Sequence, residues 1–263
     1  MEKVVLIILV TICTNMSLFA IKTIGHRGSL YGVENTEIAF INGVNNGFDG
    51  LECDIRTTRD GKFVICHDED LKRLGHDSVK IAENDEAFLL SLPLKQKRSD
   101  GNTYEGKLCT LGHFLDICKS NEVFPVIEIK WSSNIYSDNN NPERYCYDGI
   151  PALLELINSK GLSGKAVILT SMKGVLDKIR SLDSNISLQL LSRQNWEQHV
   201  DWCKDRNIDI DIQREMKTDN MVKTFHDLAL KVNVWTINND SEYDMYRNLG
   251  VDMITTDFIK PRK

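Results

Sequence analysis

The sequence lacks several patterns that mark common protein classes. The net charge is −6 and no run of lysine and arginine exceeds a few residues, which argues against a nucleic-acid-binding protein. No Cys-x-x-Cys pair occurs among the seven cysteines, so a structural zinc site is not expected. There is no internal repeat and no low-complexity linker, and 263 residues suffice for one large α/β domain or two small ones. Without an extended basic surface, any binding of phosphate must depend on a few residues at one site.

The first 20 residues differ from the rest and have the pattern of a signal peptide. Lys3 gives a positive start, residues 4–12 form an apolar run, and small polar residues lead to Ala20. The apolar run is short for a membrane span. We therefore expect cleavage near Ala20, a secreted or periplasmic protein, and no stable membrane span afterwards. An uncleaved anchor is the alternative, because Leu18 stands where a small residue is usual before the cut.

Six cysteines follow this leader, an even number that permits disulfides in an exported chain. Their spacing is irregular, however. Cys53 and Cys66 are predicted to lie on neighbouring strands, both on the side opposite the charged residues described below. We expect buried free thiols at these two positions, and a bridge between them is the alternative.

From Lys22 onwards, strand-like and helix-like segments alternate almost to the end of the chain. The strand-like segments are residues 23–25, 50–55, 124–130, 165–171, 187–191, 208–212, 231–237 and 252–255. The helix-like segments are residues 36–46, 111–121, 151–160, 174–182, 196–207, 220–229 and 241–249. Strict alternation implies a parallel sheet, and eight strands imply a closed (β/α)₈ TIM barrel in one domain, residues 21–263. An open doubly wound sheet is the alternative, but no Gly-x-Gly-x-x-Gly follows the first strand.

Two segments interrupt this alternation. Residues 71–107 are polar and lack a clean period, so we interpret them as an inserted loop or small subdomain after the second strand. Residues 131–147 are rich in Asn, Ser and Asp and are interpreted as a long loop after a strand. Because active sites of such barrels lie at the C-terminal ends of the strands, both segments are expected to wall the mouth.

The most informative stretch runs from residue 50 to residue 68. Glu52 and Asp54 alternate with apolar residues on a strand, and the period of two places both carboxylates on one face. Such a pair is costly to bury without a cation. An Asp-Gly turn follows and can fold the next run back, which brings His67 near them. The simplest interpretation is a divalent metal site beside a histidine; a half-exposed strand with charges on its wet face is the alternative.

The first strand also ends in residues suited to chemistry. Gly25 and Gly28 flank His26 and Arg27, so the backbone can turn tightly and leave room for a ligand. His26 and His67 titrate near neutrality, as proton transfer to and from oxygen requires. Arg27 offers a planar guanidinium suited to phosphate. A helix start follows, with Asn35 or Thr36 as the predicted N-cap.

The third strand repeats the spacing of two. Glu128 could complete a three-carboxylate site with Glu52 and Asp54, and ligation by oxygen alone favours Ca²⁺ or Mg²⁺ over zinc. Lys130 would neutralise charge on a phosphoryl oxygen. Without the residues on the first two strands, Glu128 and Lys130 could equally be a structural ion pair. The remaining histidines lack acidic partners at ligand spacing and are not expected to be catalytic: His76, His113, His199 and His226.

These motifs together resemble the glycerophosphodiester phosphodiesterase family. They are, in chain order, Gly-His-Arg-Gly at 25–28, Glu-Asn-Thr at 34–36, Glu-x-Asp at 52–54, Thr-x-Asp-Gly-x-x-Val-x-x-His-Asp at 58–68 and Glu-x-Lys at 128–130. Weaker matches occur at Trp235-Thr236 and at Thr255-Thr256-Asp257. The resemblance implies a TIM barrel that cleaves a small-molecule glycerophosphodiester to sn-glycerol 3-phosphate and an alcohol.

The resemblance also implies roles for individual residues. His26 and His67 would be the acid/base pair, with His26 favoured as the base and His67 as the acid. The remaining roles are metal ligation by Glu52, Asp54 and Glu128, phosphate binding by Arg27 and Lys130, an aromatic wall on the glycerol side from Trp235, and support from Glu34 and Asn35. Phospholipase D-like cleavage of lysophospholipids or sphingomyelin, with a similar residue set, is one alternative. A non-catalytic binding barrel is the other, although no motif residue is missing.

Overall fold

A computed structural model of the protein describes residues 21–130, 144–193, 195–214 and 220–262. The signal peptide predicted at residues 1–20 and most of the loop predicted at 131–147 lie outside the described residues. Within the described part of the chain, no helix is both long and apolar enough to cross a membrane.

The central structure is the predicted parallel barrel. Eight strands form the barrel: β1 Lys22–Gly25, β2 Gly50–Thr57, β7 Phe124–Ile129, β8 Val167–Thr170, β9 Ser187–Ser192, β10 Asp209–Gln213, β11 Val232–Trp235 and β12 Met253–Thr256. Four short strands lie between β2 and β7 along the chain: β3 Phe63–Ile65, β4 Leu94–Lys97, β5 Thr103–Gly106 and β6 Cys109–Thr110. Strands β2 and β7 to β12 follow one another in parallel. Strand β1 pairs with both β12 and β2 and so closes the barrel. This closed parallel pairing confirms the (β/α)₈ prediction. The fold alternates strands with helices because buried apolar strands need helices on their outer face.

Helices cover the outside of the barrel. They are α1 Glu37–Asn45, α3 Leu111–Ser120, α4 Arg144–Ser159, α5 Lys173–Leu182, α6 Val200–Arg206, α7 Met221–Asp227 and α8 Asp240–Leu249, whereas the short helix α2 Glu86–Ser91 belongs to the subdomain described below. Apolar residues between strands and helices form the main core, and each fully buried side chain of this kind stabilises the fold by roughly 1.5–3 kcal/mol. Inside the barrel, a second apolar cluster forms the floor below the charged residues: Ile24, Val126, Val167, Leu169 and Met253.

One predicted boundary is wrong. Helix α4 begins at Arg144, before the expected start at Pro151, so the end of the segment interpreted as a loop is helical. Proline favours the first turn of a helix, which is why the sequence suggests a start there. In the structure Pro151 lies inside the helix, and the buried residues Ile150, Leu153 and Ile157 hold this helix against the main core at helical spacing.

The segment after the second barrel strand forms a small subdomain. Strand β3 pairs antiparallel with the end of β2, and β6 pairs with β3. Between them lie short 3₁₀ turns at Lys72–Leu74 and Ile81–Glu83, helix α2 and the antiparallel hairpin β4–β5. This subdomain has its own apolar cluster: Val33, Val64, Cys66, Leu71, Leu74, Ile81, Leu89, Leu94 and Leu108.

The cysteines confirm the expectation of free thiols. Cys53 packs in the main core, whereas Cys66 packs in the cluster of the subdomain, so the two thiols do not pair. Cys109, Cys118 and Cys203 are also buried and free. Burial raises the pKa of Cys66 to about 12 and outweighs the opposing effect of the Arg56 charge.

Candidate active site

Three carboxylates meet at the C-terminal end of β2 and β7. The two strands are parallel and pair Asp54 with Glu128, so these side chains lie next to each other inside the barrel. Oxygen atoms of Glu52, Asp54 and Glu128 all lie within 4.8 Å of one another. Cys53 points to the main core, as the strand period of two requires. The structure therefore brings together the three predicted metal ligands.

The pKa values of the three carboxyl groups are shifted in different directions. Burial raises the pKa of Glu52 well above its ordinary value, and the charges of Asp54 and Glu128 add to the effect. Burial also raises the pKa of Glu128. Asp54 differs: although burial opposes ionisation, Lys130 and Arg27 lower its pKa. The Lys130 ammonium lies 2.9 Å from Asp54 Oδ1 and 2.6 Å from Glu128 Oε1.

These carboxylates fit a hard divalent cation. Glu52 Oε2 accepts a hydrogen bond from the Arg27 backbone N–H at 2.7 Å, whereas Oε1 is buried and has no hydrogen-bond partner among the described residues. A buried carboxylate oxygen without a partner is costly. A cation held between the three side chains would satisfy that oxygen and offset the repulsion that raises the pKa values of Glu52 and Glu128.

Residues 27–35 surround this cluster as a second layer. Asn35 Nδ2 donates to Asp54 Oδ2 at 2.7 Å, and the Asp54 backbone N–H donates to Asn35 Oδ1 at 3.2 Å. Asn35 therefore positions a carboxylate, and Thr36 takes the N-cap position of α1 without a side-chain cap. Glu34 accepts hydrogen bonds from Arg27 at 3.0 Å and from the subdomain residues Arg73 and Gln96. Burial opposes ionisation of Glu34, but Arg73 and Arg27 lower its pKa to about 2.

His26 stands at the end of β1 with a carboxylate behind it. Its Nδ1 lies 2.8 Å from Asp257 Oδ1, and Asn238 Nδ2 donates to Asp257 Oδ2 at 2.5 Å. Asp257 is anchored further by its backbone N–H, which donates to Asn238 Oδ1 at 2.9 Å. This chain of contacts fixes the ring so that its second nitrogen is available to the cavity that His26 lines.

His67 has the same arrangement on the other side. Its Nδ1 lies 2.7 Å from Asp68 Oδ1, and Arg73 donates to Asp68 Oδ2. Burial, together with the charges of Arg27 and Lys130, lowers the pKa of His67 to about 4 against the opposing effects of Asp54 and of the hydrogen bond to Asp68. His67 is therefore neutral at pH 7.

A cavity of about 200 Å³ joins these groups. Its lining residues are His26, Arg27, Glu52, His67, Glu128, Lys130, Leu169, Leu191, Arg193, Asp211, Trp235, Thr236 and Thr255. The Arg193 guanidinium lies 5.8 Å from the ring centroid of Trp235. An outer groove of about 1020 Å³ shares five lining residues with the cavity: His67, Glu128, Lys130, Leu191 and Arg193. Two histidines, three cationic side chains and a carboxylate cluster around one cavity suit acid–base chemistry at a phosphoryl group.

Several residues that build this site were not singled out from the sequence. Asp68 and Asp257 orient the two histidines, and the only sequence signals were their places in His-Asp and Thr-Thr-Asp. Arg73 and Gln96 belong to the subdomain and carried no motif. Of the remaining histidines, His76, His113 and His226 contact Pro93, Glu37 and Asp252, and His199 lines the outer groove.

Comparisons with known proteins identify the family of this chain. The model of the glycerophosphoryl diester phosphodiesterase family matches residues 25–260. A glycerophosphodiester phosphodiesterase of Bacillus altitudinis is 26% identical over 246 residues, which cover 90% of this chain and 94% of that protein.

Solved structures share the fold. A Silicibacter pomeroyi protein of the same family name superposes with a TM-score of 0.79 at 20% identity, covering 91% of this chain and 90% of that one. An Oleispira antarctica phosphodiesterase, in complex with its product sn-glycerol-3-phosphate, has a TM-score of 0.74 at 19% identity and covers 91% and 94% of the two chains. The chain belongs to the glycerophosphoryl diester phosphodiesterase family, whose members are phosphoric diester hydrolases.

Proposed function

We propose that this protein hydrolyses glycerophosphodiesters to sn-glycerol 3-phosphate and an alcohol with the help of a bound divalent cation. One observation carries the proposal: His26 and His67, each backed by a carboxylate, line the same cavity as Glu52 and Glu128. The Oleispira antarctica phosphodiesterase, which has the same fold, binds the corresponding product.

Glu52, Asp54 and Glu128 would hold the cation, and oxygen ligands of this kind suit Ca²⁺ or Mg²⁺. When bound, such an ion draws electron density from the phosphoryl oxygens. Arg27 and Lys130 add positive charge beside the same cavity and bind the phosphate. Their hydrogen bonds and ion pairs to Glu34, Asp54 and Glu128 fix their positions before the substrate arrives.

The surroundings of the histidines suggest how they divide the proton transfers. Because His67 is neutral, its ring nitrogen that does not face Asp68 carries a lone pair and can accept the proton of the attacking oxygen, whether from water or a substrate hydroxyl. His26, held by Asp257, would donate a proton to the leaving alcohol. This proposal reverses the assignment favoured by the sequence, because only the tertiary structure reveals the cations around His67.

The outer groove supports a polar alcohol as the leaving group. Among its lining residues that the structure describes, only Ile129 and Leu191 are aliphatic. The others are charged or polar, as Arg193 and His199 are, and an acyl chain would leave such groups without water. This composition favours a glycerophosphodiester with a small polar headgroup over a lysophospholipid.

The direct test is release of choline or ethanolamine from glycerophosphocholine and glycerophosphoethanolamine. We expect release that stops with EDTA and returns when Ca²⁺ or Mg²⁺ is added. Activity on lysophosphatidylcholine without activity on either water-soluble diester would replace this proposal by the phospholipase D-like alternative. Inactivity on all three substrates would refute it.

We also propose that the protein is exported, on the basis of the pattern in residues 1–20. N-terminal sequencing of the protein recovered outside the cytoplasm should find a chain that begins close to residue 21. A cytoplasmic protein with an intact start would contradict export.

A further inference from the structure

Asp211 is a buried carboxyl inside the barrel that the reaction described above does not use. It lies in the middle of β10, is 3% exposed and lines the cavity that contains the two histidines. Its neighbours Ile210 and Ile212 pack outward in the main core. Because side chains alternate along a strand, Asp211 points to the barrel interior.

The hydrogen bonding of this carboxyl is incomplete. In the described part of the chain, Asp211 Oδ1 is buried and has no hydrogen-bond partner. The same holds for the indole Nε1 of Trp235, which lines the same cavity. Strands β10 and β11 are neighbours, and Asp211 pairs in register with Asn233, so Trp235 lies one level closer to the mouth. Buried polar atoms without partners are rare and costly, so these two atoms are expected to meet a ligand.

The two atoms define the chemistry of that ligand. The carboxylate oxygen needs a donor, whereas the indole N–H needs an acceptor, and a hydroxyl group supplies both. A phosphate dianion does not fit, because it offers no hydrogen-bond donor to the Asp211 oxygen. A quaternary ammonium group does not fit either: it offers no acceptor to the indole, and the Arg193 guanidinium already lies against the Trp235 ring.

The location of Asp211 and Trp235 determines which half of the substrate they contact. Asp211 and Trp235 line the inner cavity but not the outer groove. The outer groove extends from the inner cavity on the side of His67. The half of the substrate that stays in the barrel is therefore the half that these residues contact. In the proposed function, that half is the glycerol group.

We propose that Asp211, together with the indole N–H of Trp235, binds a free hydroxyl of the glycerol group and thereby selects glycerol phosphodiesters over diesters that lack it. The inference rests on the proposed function for the identity of the substrate. It makes Asp211 a specificity-determining residue, and a site built around a hydroxyl discriminates strongly against analogues without one.

The test is calorimetric binding of sn-glycerol 3-phosphate and of propyl phosphate, which keeps the phosphate but lacks the hydroxyls, with Mg²⁺ present throughout. We expect wild-type protein to bind glycerol 3-phosphate about 10- to 100-fold more tightly than propyl phosphate. Asp211→Ala should remove most of this difference and leave the affinity for propyl phosphate unchanged. The matched control is Asp209→Ala on the same strand, which lies outside the cavity and accepts from the Lys231 backbone N–H at 2.8 Å.

A stability measurement separates binding from a structural role. Because Asp211 Oδ1 has no partner among the residues that the structure describes, Asp211→Asn should melt at the same temperature as wild type or higher, whereas loss of a structural carboxylate would lower the melting temperature. Equal discrimination in wild type and Asp211→Ala, or none in wild type, would overturn the proposal for Asp211. Failure to hydrolyse both glycerophosphocholine and glycerophosphoethanolamine, with discrimination between the two phosphates intact, would overturn the proposed function instead.

Discussion

Arg73 donates two hydrogen bonds to Glu34, at 2.6 Å and 3.2 Å, and so connects the subdomain to the centre of the site. The same guanidinium binds Asp68, which in turn holds His67. Gln96, on β4, adds a third contact to Glu34 at 2.7 Å. The subdomain therefore helps to position one histidine as well as the carboxylate that orients Arg27.

Replacing Arg73 should impair turnover through the orientation of His67. We expect Arg73→Ala to lower kcat about 10-fold or more with a smaller change in KM, and Arg73→Lys to recover part of the loss. The matched control is Arg59→Ala, which removes an exposed arginine that pairs with Asp85 at 2.7 Å. Equal kcat values for Arg73→Ala and Arg59→Ala would show that the contact to Asp68 has no role in catalysis.

Metal binding should be visible as a change in thermal stability. An ion that binds the folded protein alone raises its melting temperature, so Ca²⁺ or Mg²⁺ should stabilise the wild type and EDTA should reverse the effect. Glu52→Gln should abolish this response, because Glu52 is one of the three clustered carboxylates. Without added ion, Glu52→Gln should melt higher than the wild type, since it removes a buried repulsion.

The control for this experiment is Asp116→Asn, an exposed acid that pairs with Lys160 at 2.7 Å away from the cluster. This variant should respond to the ions as the wild type does. A full response in Glu52→Gln would place the ion elsewhere.

The roles of the two histidines can be separated by the leaving group. We expect His26→Ala and His67→Ala each to lower kcat on glycerophosphocholine about 100-fold or more. A p-nitrophenolate leaving group needs no proton, so a glycerol p-nitrophenyl phosphodiester should restore turnover in the variant that lacks the acid. Recovery in His26→Ala but not in His67→Ala supports the proposed roles; the opposite pattern would exchange them.

Glu34 should make stability depend on pH in the acid range. Its pKa is about 2 in the folded protein, below the ordinary value of 4.5, because Arg73 and Arg27 outweigh its burial. The lowered pKa stabilises the folded state at pH values above about 4.5, by about 3 kcal/mol, and this contribution is lost as the pH falls from about 4.5 to about 2.

We therefore expect Glu34→Gln to be less stable than the wild type in urea unfolding at pH 7. The difference should shrink between pH 4.5 and pH 3. Glu83→Gln, which removes an exposed acid paired with Lys80, is the control and should change little at any pH. A difference that stays constant with pH would mean that the ion pairs of Glu34 contribute no stability.

The buried thiols should be inert in the native protein. Burial raises the pKa of Cys66, Cys109 and Cys203 to about 12 each, so little thiolate is present at pH 8. Peptide mapping after iodoacetamide treatment should find these cysteines unmodified unless denaturant is added. Modification of Cys66 in the native protein would show that the cluster of the subdomain opens readily.

The sequence alone determined the barrel and the residues at the ends of its strands. Alternating apolar strands and helices allow few ways to bury both faces of a sheet, so the order of elements was enough to predict a closed parallel barrel. The spacing of two between Glu52 and Asp54 likewise requires a common face. These features depend on local periodicity, which is written along the chain.

Only the tertiary structure determined which charged and polar side chains of the site contact one another. Arg73 and Gln96 lie far along the chain from Glu34, and Asp257 lies far along the chain from His26, so no local pattern connects these residues. The interior position of Asp211 beside Trp235 follows from the register of β10 and β11. Hydrogen bonds and electrostatic interactions depend on distance in space, so pKa shifts and partnerless atoms appear only when distant segments meet.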